Sequence, residues 1–229
     1  MSKVIIHEET IKFPISTIGK YSGICYGANT EDAEKNHKRG LENIKSNHGR
    51  ALENVQVYMT LDDYSAKVIR EYYTHIAGSP TRLQSSTRYI DYEHGFTYVT
   101  PPTIKVDETA LKIYEDAMHD IAVATEKLAS LKIPKEDSSM LLPLGMTTKV
   151  VVRTNLRNLV DMSRQRLCNR AFWEYRKLMS DIIGNLSNYS DEWMEIVRDL
   201  KLFKPKCDEY GYCPETRGCG RKPKKEDNA

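Results

Sequence analysis

Apolar positions repeat along this chain with two periods, and the switches between them mark its elements. In NVQVYMTL (54–61), Val55, Val57 and Met59 alternate with Gln56, Tyr58 and Thr60, which predicts a half-buried strand. From Asp107 to Leu131, Leu111, Tyr114, Met118, Ile121, Ala122, Ala124 and Leu128 fall at helical spacing. LRNLVDMSRQRLCNRAFWEYRKLMSDIIGNL is the longest helical pattern, and Tyr189 to Leu202 predicts a further short helix. Residues 1–29 mix short β-like runs with Gly23 and Gly27. Thr30 is expected to cap a helix ending near His48, and Asp62 or Asp63 to cap the helix YSAKVIREYYTH. STRYIDY and FTYVTPP read as strands, the second stopped by Pro101 and Pro102, and MTTKVVVRTN adds another.

With no internal repeat and no linker, these elements predict an α+β fold. One domain over residues 1–203 would hold a mixed or antiparallel sheet flanked by long helices. Residues 204–229 turn polar, rich in Gly, Pro and Lys, and are expected to form a loosely held tail.

Charge narrows the function classes. Lys and Arg number 34 against 32 Asp and Glu, a net charge of +2, too balanced for nucleic-acid binding across the whole surface. The basic run GRKPKK lies in the tail and reads as a solvated segment. No segment approaches the roughly 20 apolar residues of a membrane span, so a cytoplasmic protein is expected. Five cysteines, an odd number, do not suggest a secreted disulfide framework.

Neither a P-loop, nor GxGxxG, nor GxSxG is present. Nothing local activates Cys25 toward His48, which favours inert packing of that thiol. Cys207, Cys213 and Cys219 are evenly spaced but lack the CxxC knuckle of structural zinc. A fourth ligand would have to come from Cys168, Asp208 or another subunit, so unbound thiols and no metal are expected. The Tyr72-Tyr73 pair reads as packing rather than ring stacking.

Two arginine clusters are more informative. THIAGSPTRLQSSTRY (74–89) holds His75, Arg82 and Arg88 among several hydroxyls. The long helical pattern offers Arg166, Asn169 and Arg170 as an i, i+3, i+4 set. Forked guanidinium donors in two places suit a nucleotide-sized anion.

The order of SNHGRALEN, the THI…SSTRY loop, LPLGMTTKVVVRTNLRNLVDMSRQR and RAFWEYR resembles that of flavin-dependent thymidylate synthases over roughly residues 20 to 185. The resemblance implies a homotetramer with shared active sites, FAD as cofactor and dUMP as substrate. NADPH would be the reductant and methylenetetrahydrofolate the carbon donor. It places Ser86, Arg88, Gln84 and Arg166 on dUMP, with Arg166 at the uracil carbonyl edge as the catalytic charge and Ser86 as a hydrogen-bonding group beside the nucleotide. It places His75, Glu53, Asn155, Arg157 and Asp161 at the flavin and His48 near the folate and nicotinamide.

The chain also departs from the family pattern. The Arg-His-Arg motif reads Thr74-His75-Ile76, and the spacing from His75 to Ser86 is two residues longer than the family's. Arg82, inside the enlarged loop, is expected to replace part of the lost cationic contact with FAD. Ser139 stands where a phosphate-binding arginine is expected, Asp161 where an asparagine is, and Arg170 where a histidine is. These changes leave two further readings open: a relative that methylates or hydroxymethylates C5 of another uridine nucleotide, and a non-catalytic flavin- or nucleotide-binding homologue.

Overall fold

The computed structural model of the chain describes residues 2–225. In chain order, β1 (Lys3–Ile6) leads to α1 (Pro14–Ile24), α2 (Ala33–Lys45) and α3 (Gly49–Leu52). Next come β2 (Gln56–Ser65), α4 (Ala66–Tyr72), β3 (Thr81–Gln84), α5 (Pro102–Lys105), α6 (Glu108–Ser130) and α7 (Lys135–Ser138). Then follow β4 (Thr147–Asn155), α8 (Leu156–Arg166), α9 (Trp173–Ser187), α10 (Asp191–Met194) and α11 (Lys206–Tyr210). The strands form one small antiparallel sheet in the order β1-β2-β4-β3. The α+β class expected from the sequence is the class observed.

The described residues pack as two compact units. One comprises Val4–Thr60, Tyr73–Arg82 and the chain from Val151 onward. Its interior buries Ile15, Ile18, Val57, Leu159, Tyr175, Leu178 and Trp193 completely. Residues 14–24, expected as β-like runs and turns, form α1 instead. Pro14 starts it, where a missing N–H costs nothing, and glycines along it serve contact rather than turning. A Cβ on Gly19 would overlap the carbonyl oxygen of Asn36, and one on Gly40 that of Ile15. α1 and α2 therefore cross backbone against backbone. The cap of α2 is Asp32, whose side chain accepts from the Lys35 N–H at 3.0 Å, and not Thr30.

The expected long helix breaks in two. α8 ends at Arg166 and α9 starts at Trp173, with the Ala171 N–H turned back to the Cys168 carbonyl at 2.9 Å. Arg176 supports the break from α9, donating to the Asn169 carbonyl at 2.9 Å. Arg166, Asn169 and Arg170 consequently do not share a helical face. The short helix expected over 189–202 is α10 continued by a π-turn at Glu195–Asp199.

The C-terminal segment is also more ordered than expected. Arg164 on α8 holds Glu209 on α11 through Nε and Nη2, at 2.9 and 3.0 Å. Arg170 donates to the Arg217 carbonyl at 2.5 Å, and the Cys213 N–H returns to the Pro223 carbonyl at 2.8 Å. Residues 226–229 of the expected tail lie outside the described residues.

The other unit comprises Leu61–Tyr72 and Leu83–Val150 with Lys3. Here β2 runs through Asp62 and Asp63 instead of ending there. Asp62 pairs with Lys3 and Lys149 at 3.7 and 3.2 Å, and Ser65 caps α4 by accepting from the Val68 N–H at 3.1 Å. STRYIDY is not a strand, because the Ser86 carbonyl takes both the Tyr89 and Ile90 N–H groups at 3.2 and 3.1 Å and closes a turn. FTYVTPP contributes only a bridge between Tyr98 and Met146. α6 matches its expected span, with Asp107 accepting from Ala110 N–H at 2.9 Å, yet along it only Met118 and Thr125 are buried.

Candidate functional site

The larger group of expected site residues belongs to the unit containing α8. There the segment Tyr73–Arg82 is fixed by its backbone. Gly78 sits at φ +72, and a Cβ on it would overlap the Asn155 amide, so both conformation and space require glycine. Arg153 on β4 holds the loop further, donating to the Ser79 carbonyl and the Thr81 hydroxyl, each at 3.2 Å. Asn155 caps α8 by accepting from the Asn158 N–H at 2.9 Å.

This scaffold brings His75 to Arg166. Arg166 Nε donates to His75 Nε2 at 3.0 Å, and the guanidinium lies 4.5 Å from the centre of the buried Tyr175 ring. His75 packs edge-on against the same ring at 5.9 Å. Because Nε2 accepts, the imidazole is neutral with its proton on Nδ1. Arg82 donates to the His75 carbonyl, and its guanidinium rests 5.0 Å over the Tyr73 ring. Arg82 thus brings a cation to His75 from within the same loop, while Ile76 is 74% exposed.

Burial pushes the His75 pKa down to about 4, the charges of Arg166 and Arg82 push the same way, and Asp161 opposes them. The sign of the linkage follows. Below pH ~6.5 the unfolded chain takes a proton at His75 that the folded chain refuses until about pH 4. Its contribution to folding stability therefore falls as the pH drops through that window. NMR titration of the full chain is expected to show His75 neutral throughout pH 5–8. An imidazole titrating in the ordinary range would mean that Arg166 does not face it.

His75 also borders an open cleft of about 620 Å³, with Asn158, Asp161, Arg164, Gln165 and Tyr210 on its other walls. Asp161 is engaged by Arg164 at 2.8 Å. Glu53 and Arg157, expected at the same cofactor, bind each other at 2.5 Å. His48 occupies the N-cap position of α3, exposed, without a capping hydrogen bond from its side chain.

Ser86, Arg88 and Gln84 lie in the other unit. Gln84 donates to the Thr148 hydroxyl at 3.3 Å, and the Ser86 hydroxyl accepts from the Arg88 N–H at 3.3 Å. Arg88 pairs with Glu136 at 3.2 Å, both side chains more than half exposed. The hydroxyl of Ser139 donates to the Glu136 carbonyl at 3.2 Å.

Sequence reasoning missed Tyr175 as the ring under Arg166 and Tyr73 as the ring under Arg82. The first carried no spacing signal, because the break between α8 and α9 intervenes. The second was half legible, since Tyr72 is buried as expected for packing while its neighbour is exposed.

The family model described as thymidylate synthase complementing protein matches residues 9–188. A flavin-dependent thymidylate synthase of Pyrococcus furiosus is 32% identical over 150 residues, 62% of this chain and 61% of that protein. One of Nitratidesulfovibrio vulgaris is 33% identical over 151 residues, 61% of this chain and 58% of that protein. The chain thus spans about three-fifths of the length of these relatives. Among solved structures, the flavin-dependent thymidylate synthase ThyX of Helicobacter pylori, complexed with FAD and dUMP, has the same fold. Its TM-score is 0.62 at 16% identity, over 84% of this chain and 98% of that one. With a fold of that kind, and with most of its length inside the family match, the chain belongs to the thymidylate synthase complementing protein family.

Proposed function

We propose that the chain is a flavin-dependent thymidylate synthase, a methyltransferase that converts dUMP to dTMP. The observation that carries this reading is the Arg166–His75–Tyr175 cluster. Nε bonded to a neutral imidazole and the guanidinium face on a buried ring fix one orientation of the charge. An oriented cation is what an enolate-like uracil needs when C5 attacks the carbon donor and negative charge gathers on the carbonyl oxygen. Arg166 is thus the catalytic group. Ser86, Gln84 and Arg88 bind the nucleotide, Arg88 through its phosphate.

The residues present fit FAD. The cleft beside His75 has the volume of a small-molecule site. Asn158 and Gln165 line it with amide groups suited to ring carbonyls. His75, Arg82, Asn155, Arg157, Glu53 and Asp161 are the chain's flavin-side residues. Bound there and reduced by NADPH, the flavin would supply the hydride that completes the methyl group, whose carbon comes from methylenetetrahydrofolate. His48 stands on the folate and nicotinamide side.

A homotetramer completes the reading. α6 buries little, and Ile113 on it is 66% exposed, which leaves an apolar face for a second copy. Among the described residues no helix is long and apolar enough to cross a membrane, and we place the enzyme in the cytoplasm.

The test is direct. Purified protein supplied with FAD, NADPH, methylenetetrahydrofolate and dUMP is expected to release dTMP. Turnover of another uridine nucleotide but not dUMP would move the substrate assignment, a result that Ser139 in place of a phosphate-binding arginine makes worth measuring. FAD binding without turnover of any nucleotide would refute the catalytic reading.

A further inference from the structure

Four of the five cysteines converge on one place. Cys168, in the break between α8 and α9, lines a cleft of about 540 Å³ together with Cys207, Cys213 and Cys219. The three C-terminal thiols recur at one spacing, and the fold brings the fourth to them from a distant part of the sequence. Cys207 is buried on α11, Cys168 and Cys213 are half-buried, and Cys219 is exposed.

Two physical facts argue for an occupant. The segment 205–225 folds back on itself, with Cys213 bridged to Lys224, yet within it only Pro205 and Cys207 are buried. A piece this small and polar has no core to hold such a fold and ordinarily needs a disulfide or a metal. All five cysteines are free thiols. Moreover, six cations line the same cleft, Arg164, Arg166, Arg170, Lys206, Arg221 and Lys222, while four carboxylates pair with them, Asp161, Glu209, Asp208 and Glu215, which leaves positive charge in excess. That excess of positive charge suits an anionic centre. Four thiolates on one zinc ion carry a net charge of about −2.

We propose that Cys168, Cys207, Cys213 and Cys219 form a structural site for a thiophilic divalent cation of the zinc class, which staples the C-terminal segment to the end of α8. Among the described residues no three donors already stand in coordinating geometry, so the thiols surround the cleft and must close on the ion, as metal-coupled folding requires. Glycine eases that closure. Gly218 lets the Cys213 sulfur approach its backbone, and Gly220 takes the left-handed turn beside Cys219. Binding releases the thiol protons and transfers no electrons. This site differs from the expectation of unbound thiols, which rested on spacing along the chain, because the four sulfurs meet only once α8, its break and the tail have folded. The proposal does not rest on the catalytic reading, because its readout is a metal–thiolate spectrum and not flavin binding or nucleotide turnover.

Titration of the reduced full-length chain with Co²⁺ tests it. The expected result is a thiolate-to-cobalt charge-transfer band with tetrahedral d–d bands, saturating at roughly one equivalent and displaced by Zn²⁺. Cys219→Ser, at an exposed position that leaves folding intact, is expected to weaken binding at least tenfold, and Cys168→Ser to do the same. Absence of the cobalt–thiolate band, or a band unchanged in both variants, would overturn the proposal. So would a disulfide between any two of these cysteines in protein purified under reducing, anaerobic conditions, or uptake of inorganic phosphate by the cleft with no metal bound.

Discussion

Replacing Arg166 with alanine is expected to slow dTMP formation about a hundred- to a thousandfold, with nucleotide affinity falling far less. The separation follows from the role proposed for the charge. A guanidinium held by His75 and Tyr175 meets a neutral carbonyl in the ground state and a partial anion in the transition state, so its loss falls mainly on kcat. Lysine should restore little, because an ammonium can neither bond His75 through a fixed Nε nor lie flat on the Tyr175 ring. A second readout separates chemistry from scaffolding. Without the neighbouring cation, the His75 pKa should rise from about 4, since Arg166 is one of the groups holding it down. Steady-state rates and an NMR titration on the same variant check both. A variant within a few-fold of the parent rate would remove Arg166 from the chemistry.

The largest effect on stability is expected at Gly40. By intrinsic propensity, Gly40→Ala inside α2 should stabilise the helix by about 1 kcal/mol. The packing reverses the sign. The new methyl group would overlap the Ile15 carbonyl oxygen, an atom of the α1 backbone that cannot rotate aside, so the two helices must move apart. Overpacking of this kind costs roughly 1–3 kcal/mol, and the backbone contact puts Gly40 at the upper end, so a net loss of about 2 kcal/mol is expected once the propensity gain is subtracted. Gly184→Ala is the matched control. It lies in α9 with open space where a Cβ would stand, and it should gain roughly 0.5–1 kcal/mol. Denaturant unfolding of the two variants would settle the comparison. Equal responses would mean that α1 and α2 do not touch through their backbones.

Those glycines show why the sequence misled in places. Around Gly19 and Gly23 the N-terminal stretch reads as β-like runs and turns, because the benefit of glycine there lies on another helix, beyond any local window. The one local sign of a helix there is Pro14, at its first position. The α8–α9 break had no Gly or Pro to announce it and depends on Arg176 reaching backward to a carbonyl. STRYIDY has the composition of a strand, yet the Ser86 carbonyl captures the next N–H groups first. Where a strong period coincided with a real cap, as at Asp107 and α6, the reading was accurate.

The site was legible in the same uneven way. The lengthened loop singled out Arg82, and the family's motif order His75 and Arg166, but that both guanidiniums meet His75 and that Tyr175 lies beneath one of them emerged only from the fold. The four-cysteine cleft was present as spacing but took its meaning from the fold.

The pairing of Arg88 with Glu136 has a consequence for ligand capture. An exposed ion pair of this kind is worth at most about 1 kcal/mol, so the carboxylate acts as a parking place rather than an anchor. It limits the wandering of the guanidinium while leaving it cheap to recruit. An arriving phosphate, more highly charged and able to take two parallel hydrogen bonds, would win the exchange. Under the proposed reading Glu136 would then swing into solvent, and capture of the nucleotide phosphate by Arg88 would be a partner swap instead of an ordering event.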